Sequence, residues 1–411
     1  TSQRARQRRD CASCEPVHRS TSARNFHCCI NFQRRSCNKA VLQAAAMAET
    51  PQQDDDPWRR LQPKRAHVVC ATDEALISVD LDGYQPRASL SIPAQPASIT
   101  ANGGLVIASM AKDASIAGGP LGKNAPQLNS RVPEKLSSIT VTPDGLWLCG
   151  GGAASGRLYL WELWSGRLAR RWEGHFRGVT ALCVDERGEH VVSGGGDGLV
   201  RPWCLSIACD AERCRGPRDA FAPLYDDWSD HTLPVVGIVL QGGRCWSVSS
   251  DRTLCGRELY GGRKVFQASL AGAPSCLALD ALDSFALVGT AEGPILRVDL
   301  DAWAHALTKR EEPSLNIATY DGHSQKVVGV VASNETQFVS ASQDGTLRVW
   351  DVAARREVRR VEVAPGAPPL RSLAPLPSAT APPVASILKR DADEAPDDVP
   401  CALLRPRARV S

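Results

Sequence analysis

Residues 343–352 read QDGTLRVWDV. Asp344, Trp350 and Asp351 set two carboxylates beside an indole, an arrangement that would suit either chemistry or a structural brace. Recurrence separates the two. In GGDGLVRPWCL, residues 195–205, Asp197 stands six before Trp203, just as Asp344 stands six before Trp350. Ser193 and Ser340 each stand four before those aspartates. Gly174-His175 and Gly322-His323 open the two units, with His-to-Ser gaps of 18 and 17. A looser third copy has His231, Ser247 and Asp251, with Arg257 at the tryptophan position. A reaction centre is usually built once in a chain, so a spacing used three times points to architecture.

From His67 onward, short runs of β-branched residues, Leu and Ala alternate with Gly, Asp and Asn turns. Turn signals every 8–12 residues are the mark of an all-β sandwich, barrel or propeller. Seven units can be marked between His67 and Val361, which gives about 42 residues each. That is the WD-repeat period of four strands per blade. The chain is therefore expected to be all-β, a seven-bladed WD-repeat β-propeller with disordered N- and C-terminal tails.

The spacing then has a mechanical meaning. His precedes a blade's first strand, Ser lies on the second, Asp in the turn after it, and Trp on the third. Asp would accept from His and from backbone N–H groups, His would link to Ser, and Ser would reach the indole N–H. A hydrogen bond to a charged group contributes about 1.5–3 kcal/mol, and linked bonds support one another. His175, Ser193, Asp197, Trp203, His231, Ser247, Asp251, His323, Ser340, Asp344 and Trp350 are thus expected to brace blades. Asp351, at the end of its strand, is expected to be solvated.

Several units are degenerate. Val79-Asp80 and Val298-Asp299 replace Trp-Asp in units one and six. Pro202 sits inside a third strand, where it removes a ladder donor, so its missing N–H should face outward or mark a bulge. In unit two, IAGGPLGKN has lost the aromatic, and it fails the phosphate-loop pattern because Ala117 and Asn124 stand at required positions.

Composition narrows the class. The 15 cysteines are scattered, many inside apolar runs such as those of Cys70, Cys149, Cys183 and Cys276. They read as reduced core thiols. No apolar stretch is long enough for a membrane-spanning helix. The net charge of +3 hides an asymmetry, because residues 1–46 carry +7 and the rest about −4. The body therefore lacks a global electrostatic footprint for nucleic acid.

Residues 1–66 are expected to be a disordered leader. Residues 1–46, Arg- and Ser-rich ahead of Met47, read first as an extension wrongly joined to the true start. A transit peptide and a zinc site at Cys11, Cys14, His18, His27, Cys28 and Cys29 are the alternatives. Residues 67–376 are expected to form the propeller. Unit one supplies only three strands, so PLRSLAPL, residues 369–376, is expected to fill the missing place and close the ring. Residues 377–411, Pro-rich and containing the acidic run KRDADEAPDDVP, are expected to be disordered.

Two insertions, 207–230 and 302–319, break the period. Such loops are usually functional or disordered. The first carries Phe221, Tyr225 and Trp228, which are either interface anchors or locally packed aromatics. Cys209 and Cys214 read as idle thiols rather than a metal pair.

The runs flanking the insertions are DDWSDHTLPVVGIV, GTAEGPILRVDLDAW and YDGHSQKVVGVVAS. With them, residues 67–376 resemble the WD-repeat subunit of the nucleolar complex that processes internal transcribed spacer 2 of pre-rRNA. The resemblance implies a non-enzymatic scaffold or adaptor of ribosome biogenesis, acting in large-subunit pre-rRNA processing and pre-60S maturation. It implies the nucleus, nucleolus or nucleoplasm as its place. The implied partners are a large helical scaffold subunit, a helical-repeat subunit and a pre-60S particle with a midasin-type ATPase. No cofactor or small-molecule substrate is implied, and association with RNA would be indirect. A replication-licensing role is also found in such a family. This chain departs from the pattern after residue 385, where no heptad-bearing helix is visible.

A ubiquitin-ligase substrate receptor is the rival reading. Such propellers commonly read Trp-Asp-x-Arg, whereas Trp350-Asp351 is followed by Val352-Ala353 and Trp161-Glu162 by Leu163-Trp164. A propeller enzyme would need a His/Asp/Glu set outside the bracing pattern, and none stands out.

Overall fold

The structure is a computed structural model. It describes residues 67–209, 223–224, 227–300 and 316–376, apart from 82, 84, 85, 93, 94, 103, 122–124, 281, 334, 335, 364, 365 and 367. The leader with its Cys/His cluster, the tail after Leu376, and Cys214, Phe221 and Tyr225 lie outside the described residues.

These residues form seven antiparallel sheets, the blades of a β-propeller. Blade 1 contains β1 (His67–Ala71), β2 (Ala75–Asp80) and β3 (Pro86–Ser91). Blade 2 runs through β4 (Pro96–Asn102), β5 (Leu105–Met110), β6 (Ser115–Pro120) and β7 (Leu128–Arg131). Blade 3 comprises β8 (Leu136–Val141), β9 (Trp147–Gly152), β10 (Arg157–Glu162) and β11 (Arg167–Glu173). Blade 4 has β12 (Val179–Val184), β13 (His190–Gly195) and β14 (Val200–Cys204), followed by the short helix α1 (Leu205–Ala208). Blade 5 comprises β15 (Val235–Gln241), β16 (Arg244–Ser249), β17 (Thr253–Glu258) and β18 (Lys264–Ser269). Blade 6 is β19 (Pro274–Leu279), β20 (Phe285–Thr290), β21 (Ile295–Asp299) and β22 (Ile317–Tyr320). Blade 7 is β23 (Val327–Ala332), β24 (Gln337–Ser342), β25 (Thr346–Asp351) and β26 (Arg356–Glu362).

The last strand, β27 (Ser372–Leu376), pairs with β1, giving blade 1 the order β27-β1-β2-β3. Consecutive innermost strands touch around the whole ring, and β27 touches both β23 and β4. Closure leaves no free inner edge.

Apolar packing sits between blades. Seven clusters of buried residues are found, one at each junction. Leu287 and Phe338 share the blade 6–7 cluster, and Val68 and Val339 the blade 7–1 cluster that completes the ring. A second strand therefore faces apolar neighbours on both sides, which is why HVVSGG in β13 and FALVGT in β20 are wholly buried. Outermost strands lose that cover, and REVRRVE in β26 is mostly exposed.

Space at the junctions selects glycine. A Cβ on Gly194 would lie 2.7 Å from Val235 Cγ1, at the start of the next blade. Gly289 stands in the same relation to Val327, also at 2.7 Å. The residue after the serine position must be small because the next blade's leading valine occupies its space.

Blade 4 departs from the expected four strands. Its outer edge is held by a bridge in which Val200 and Trp228 exchange both backbone bonds, at 3.0 and 3.1 Å. Pro202 lies two residues beyond Val200, so its backbone points to the same outer side, and its carbonyl accepts from Leu224 N–H at 2.7 Å. The donor that proline lacks is thus on the outer edge, where the fourth strand shrinks to a bridge. β14 keeps its register with β13 without a bulge.

Candidate functional site

Strand alternation gives the propeller two faces. The upper face carries the connections into each first strand and the turns between second and third strands. The lower face carries the remaining turns.

The upper face holds the polar networks. In blade 4, His175 Nε2 lies 2.8 Å from Ser193 Oγ, and Trp203 Nε1–H donates to the same oxygen at 2.8 Å. His175 Nδ1 lies 3.1 Å from Asp197, which also accepts from the backbone N–H groups of Phe176 and Leu199. Blade 7 repeats this. His323 is 2.8 Å from Ser340 and 2.9 Å from Asp344, and Trp350 donates to Ser340 at 2.8 Å. The indole can only donate and the carboxylate only accept. The circuit therefore closes with a neutral imidazole that donates from Nδ1 to Asp and accepts the serine proton at Nε2, a tautomer inferred from the partners.

Electrostatics agree with that assignment. Burial pushes the Asp344 carboxyl upward, but bonds from Thr346 and His323 outweigh it and hold it at about 2. Asp197 is likewise held at about 2, with burial opposed by His175, Leu199 and Phe176. Desolvation lowers His323 below the usual histidine value, against the pull of Asp344.

A Ser–His–Asp chain is also the outline of a hydrolase triad. Here Ser193 and Ser340 are fully buried, and their lone pairs face an indole N–H. A substrate carbonyl has no path to either oxygen, and the arrangement occurs twice.

The third copy is built differently. His231 is 2.8 Å from Ser247, but its Nδ1 meets Thr253 Oγ1 at 2.8 Å, while Asp251 stands off at 3.6 Å. The expected direct acceptance by Asp251 is therefore relayed through Thr253, which donates to Asp251. Arg257, at the tryptophan position, forms a fork with Asp230. Asp351 is half-buried and accepts from Ala354 N–H at 2.7 Å, so it caps its turn rather than standing free in solvent.

Two degenerate blades carry substitutes that the sequence reading missed. Asp73 stands six before Val79, the spacing of the intact units. Its partner is Arg371, at the head of β27, with bonds of 2.6 and 3.2 Å. In blade 3 the polarity is reversed, with Ser155 at the aspartate position and Glu134 on the incoming connection. Glu134 also accepts from Tyr159 Oη at 2.7 Å.

The aromatic trio of the first insertion divides. Trp228 is 4% exposed, joins the blade 4–5 core and lies 5.6 Å under the Arg257 guanidinium. Its indole is thus a core group filling the edge that blade 4 leaves short, which corrects its expectation as an interface anchor. Phe221 and Tyr225 fall outside the described residues. Asp185, Glu189 and His190 have metal-ligand spacing, yet Asp185 Oδ1 accepts from the backbone N–H groups of Glu189 and His190 at 2.8 and 2.9 Å. This carboxylate braces a tight turn. The described cysteines are free thiols, and burial pushes those of Cys183, Cys255 and Cys276 up to about 11.

Apolar side chains meet solvent on both faces, with Phe176 and Leu233 on the upper connections of blades 4 and 5 and four more below. Leu146, Trp164, Tyr260 and Leu282 are each 49–69% exposed and lie on lower turns of blades 3, 5 and 6. Tyr260 borders a groove of about 440 Å³ with Arg187 and Arg244. Both insertions leave and re-enter on this face. The first neck is pinned by Leu224 N–H on Pro202, and the second by Asn316 on Asp299 at 2.6 Å.

The WD domain, G-beta repeat, matches residues 166–201 and 315–351. Each segment runs from the outermost strand of the preceding blade into blade 4 or blade 7, the two with complete His–Ser–Asp–Trp networks. The chain carries WD40 repeats. This WD40 chain is 31% identical over 254 residues to "Pre-rRNA-processing protein IPI3" of Yarrowia lipolytica, covering 56% of this chain and 55% of the relative. It is 28% identical over 243 residues to "WD repeat-containing protein 18" of Bos taurus, covering 57% and 55%. It is 29% identical over 248 residues to "Protein ROOT INITIATION DEFECTIVE 3" of Arabidopsis thaliana, covering 58% and 54%. The matches span about half the length of these relatives. Among solved structures, a computationally designed protein, Ika8, matches with a TM-score of 0.55 at 16% identity, covering 75% of this chain and 87% of that one. That likeness concerns the fold alone.

Proposed function

We propose that this WD40 propeller is a non-catalytic scaffold in large-subunit pre-rRNA processing and pre-60S maturation, working in the nucleus or nucleolus. The reading is carried by the similarity to a fungal relative named for pre-rRNA processing. The geometry supports it, because the Ser–His–Asp groups are sealed inside blades and four exposed apolar side chains, Leu146, Trp164, Tyr260 and Leu282, stand on the lower face. Partners of helical build, a large scaffold subunit and a helical-repeat subunit, would engage the lower face around Trp164, Tyr260 and Leu282. Phe221 and Tyr225, carried by an insertion that opens on that face, would add anchors. The pre-60S particle and its midasin-type ATPase would be reached through those subunits, and RNA indirectly.

The test is purification of the tagged full chain with mass spectrometry of what accompanies it. Pre-60S factors and two helical subunits are expected, and they should be lost in a Trp164→Ala/Tyr260→Ala/Leu282→Ala variant but kept in Phe176→Ala, on the upper face. Recovery of cullin-ligase adaptors without pre-60S proteins would replace this reading with the receptor alternative.

A further inference from the structure

The upper face carries an apolar pair that the bracing networks do not use. In blades 4, 5 and 7 the residue after the bracing histidine is Phe176, Thr232 or Ser324. Each does the same work there, donating a backbone N–H to the turn aspartate at 3.1, 2.9 and 3.3 Å. The position asks nothing of its side chain, and two blades fill it with a hydroxyl residue. Blade 4 fills it with Phe176, which is 87% exposed. Leu233, on the connection into β15, is 49% exposed. The turn Gly196–Gly198 passes between the two. A Cβ on Gly196 would lie 3.3 Å from Arg177 Cβ, and one on Gly198 would lie 3.3 Å from the Leu233 carbonyl oxygen. The one side chain of that turn, Asp197, is directed to His175, so the turn raises nothing between ring and leucine. On the other side of Phe176 the blade 3 turn is Ala153-Ala154-Ser155-Gly156, equally short in side chains. Arg201, forked on Asp227, backs the ring at 5.9 Å.

Charge around this pair is one-sided. Among the described residues, every acid on the upper connections and turns of blades 3 to 5 is engaged. Glu134 accepts from Ser155 and Tyr159, and Glu173 pairs with Arg157. Asp227 is held by Arg201, and Asp230 by Arg257 and Lys264. Asp197 and Asp251 belong to the blade networks. The cations Lys135, Arg177 and Arg252 stand on the same connections and turns, are exposed, and have no ion pair or side-chain hydrogen bond among the described residues. Single exposed apolar residues are ordinary. Two of them flanking a bare turn, with free cations beside them, form a surface suited to an apolar side chain that arrives between carboxylates.

We propose that the upper face of blades 3–5 docks a short acidic segment of a partner protein, with one apolar side chain of that segment seated over the Gly196–Gly198 turn between Phe176 and Leu233. Its flanking aspartates or glutamates meet Lys135, Arg177 and Arg252, where guanidinium groups offer paired donors to a carboxylate. Phe176 is the anchor, because an aromatic ring supplies large contact area at low entropic cost. A protein segment fits better than a nucleic acid strand. Leu233 offers no stacking face, and the free cations are few for a phosphate backbone. The site lies on the face opposite Trp164, Tyr260 and Leu282, so it is separate from the one assigned to helical subunits.

The test is selection of short random peptides, displayed on phage, against the immobilised full chain. Recovered sequences are made with a fluorescent label and titrated by anisotropy with the full chain and its Phe176→Ser and Arg177→Glu variants. The recovered peptides should carry Leu, Ile or Phe between aspartates and glutamates. Phe176→Ser should weaken them by about tenfold or more, as loss of a central anchor does. Arg177→Glu should weaken them severalfold, and added salt should do the same in the wild-type chain. Phe176→Ser should leave the melting temperature unchanged, since blade 7 already holds Ser324 at that place, and should keep the pre-60S factors, so that the two readings fail separately. Recovery of no peptide, recovery of peptides without acids, or binding that neither variant weakens overturns the proposal. Oligouridylate binding that is lost in Phe176→Ser makes the surface a nucleic-acid site and overturns it as well.

Discussion

Arg371 and Asp73 are 298 positions apart, and their side chains meet at 2.6 and 3.2 Å where the ring closes. Arg371 holds the Asp73 carboxyl below its ordinary value. The pair occupies the place that His and Asp hold in blades 4 and 7, one partner on the incoming connection and one in the turn between second and third strands. It therefore belongs to the same bracing scheme, with a permanently charged donor in place of imidazole.

Both side chains are one-third exposed, so the pair itself should contribute little. Exposed pairs are worth roughly 0.2–1 kcal/mol. A double-mutant cycle with Arg371→Ala and Asp73→Ala should return a coupling in that range. Removing β27, by contrast, strips β1 of its partner, takes Ala374 and Leu376 out of the blade 1–2 cluster and takes Leu373 away from the blade 7–1 cluster. A chain ending before Ser372 should aggregate. A soluble, cooperatively melting chain of that length would show that closure rests on other contacts.

Acid should act on the networks in a definite order. His231 and His323 have folded values lowered by burial, so the unfolded chain binds protons first. Their contribution is complete above about pH 6.5 and is lost as pH falls below it. Asp344, held at about 2, contributes above about pH 4 and loses that contribution as pH falls toward 2. Discounted for its partial solvent access, this second term is about 1–2 kcal/mol. The melting temperature should therefore drop in two stages. A His231→Asn/His323→Asn variant should be less stable at pH 7.5 yet flatter between pH 6.5 and 5. A wild-type curve already flat across that window would contradict the neutral-imidazole circuit.

The glycine at the blade junction gives a steric test. Gly194→Ala places a Cβ 2.7 Å from Val235 Cγ1 and 2.8 Å from Ile238 Cδ1. Overpacking of this kind costs about 1–3 kcal/mol. Val235→Ala in the same chain should recover part of the loss. Additive losses in the double variant would place the cause elsewhere.

Much of this architecture was readable because it repeats locally. Trp203 stands 28 positions after His175, and around Asp344 the Ser–Asp and Asp–Trp offsets recur unchanged with the His one residue nearer. Closure was legible by default, since unit one lacked a strand and SLAPL was the apolar segment left over. What could not be read was pairing across long separations, because one sequence has no term linking Arg371 to Asp73. The offset from Asp73 to Val79 was nonetheless a usable signal. The role of Thr253 was hidden by its ordinary appearance as a turn residue. The burial of Trp228 was hidden by its polar surroundings in DDWSD, and only the shortened edge of blade 4 explains it.

That edge provides the last prediction. Trp228 fills space beside Val200 and Val235 within the blade 4–5 cluster, and its backbone makes the bridge that ends the sheet. Trp228→Ala should therefore behave as a core truncation, which costs about 3–5 kcal/mol for a buried aromatic. Trp228→Phe should keep most of the packing and cost less. Pro202→Val, on the same edge, should be close to neutral, because the donor it restores points to the outer side, where among the described residues no strand is paired with it. Chemical denaturation of the three variants measures this ranking. If Trp228→Ala melts like the wild type while capture of helical partners falls, the indole is an exposed anchor after all, and the account of how blade 4 is completed is wrong.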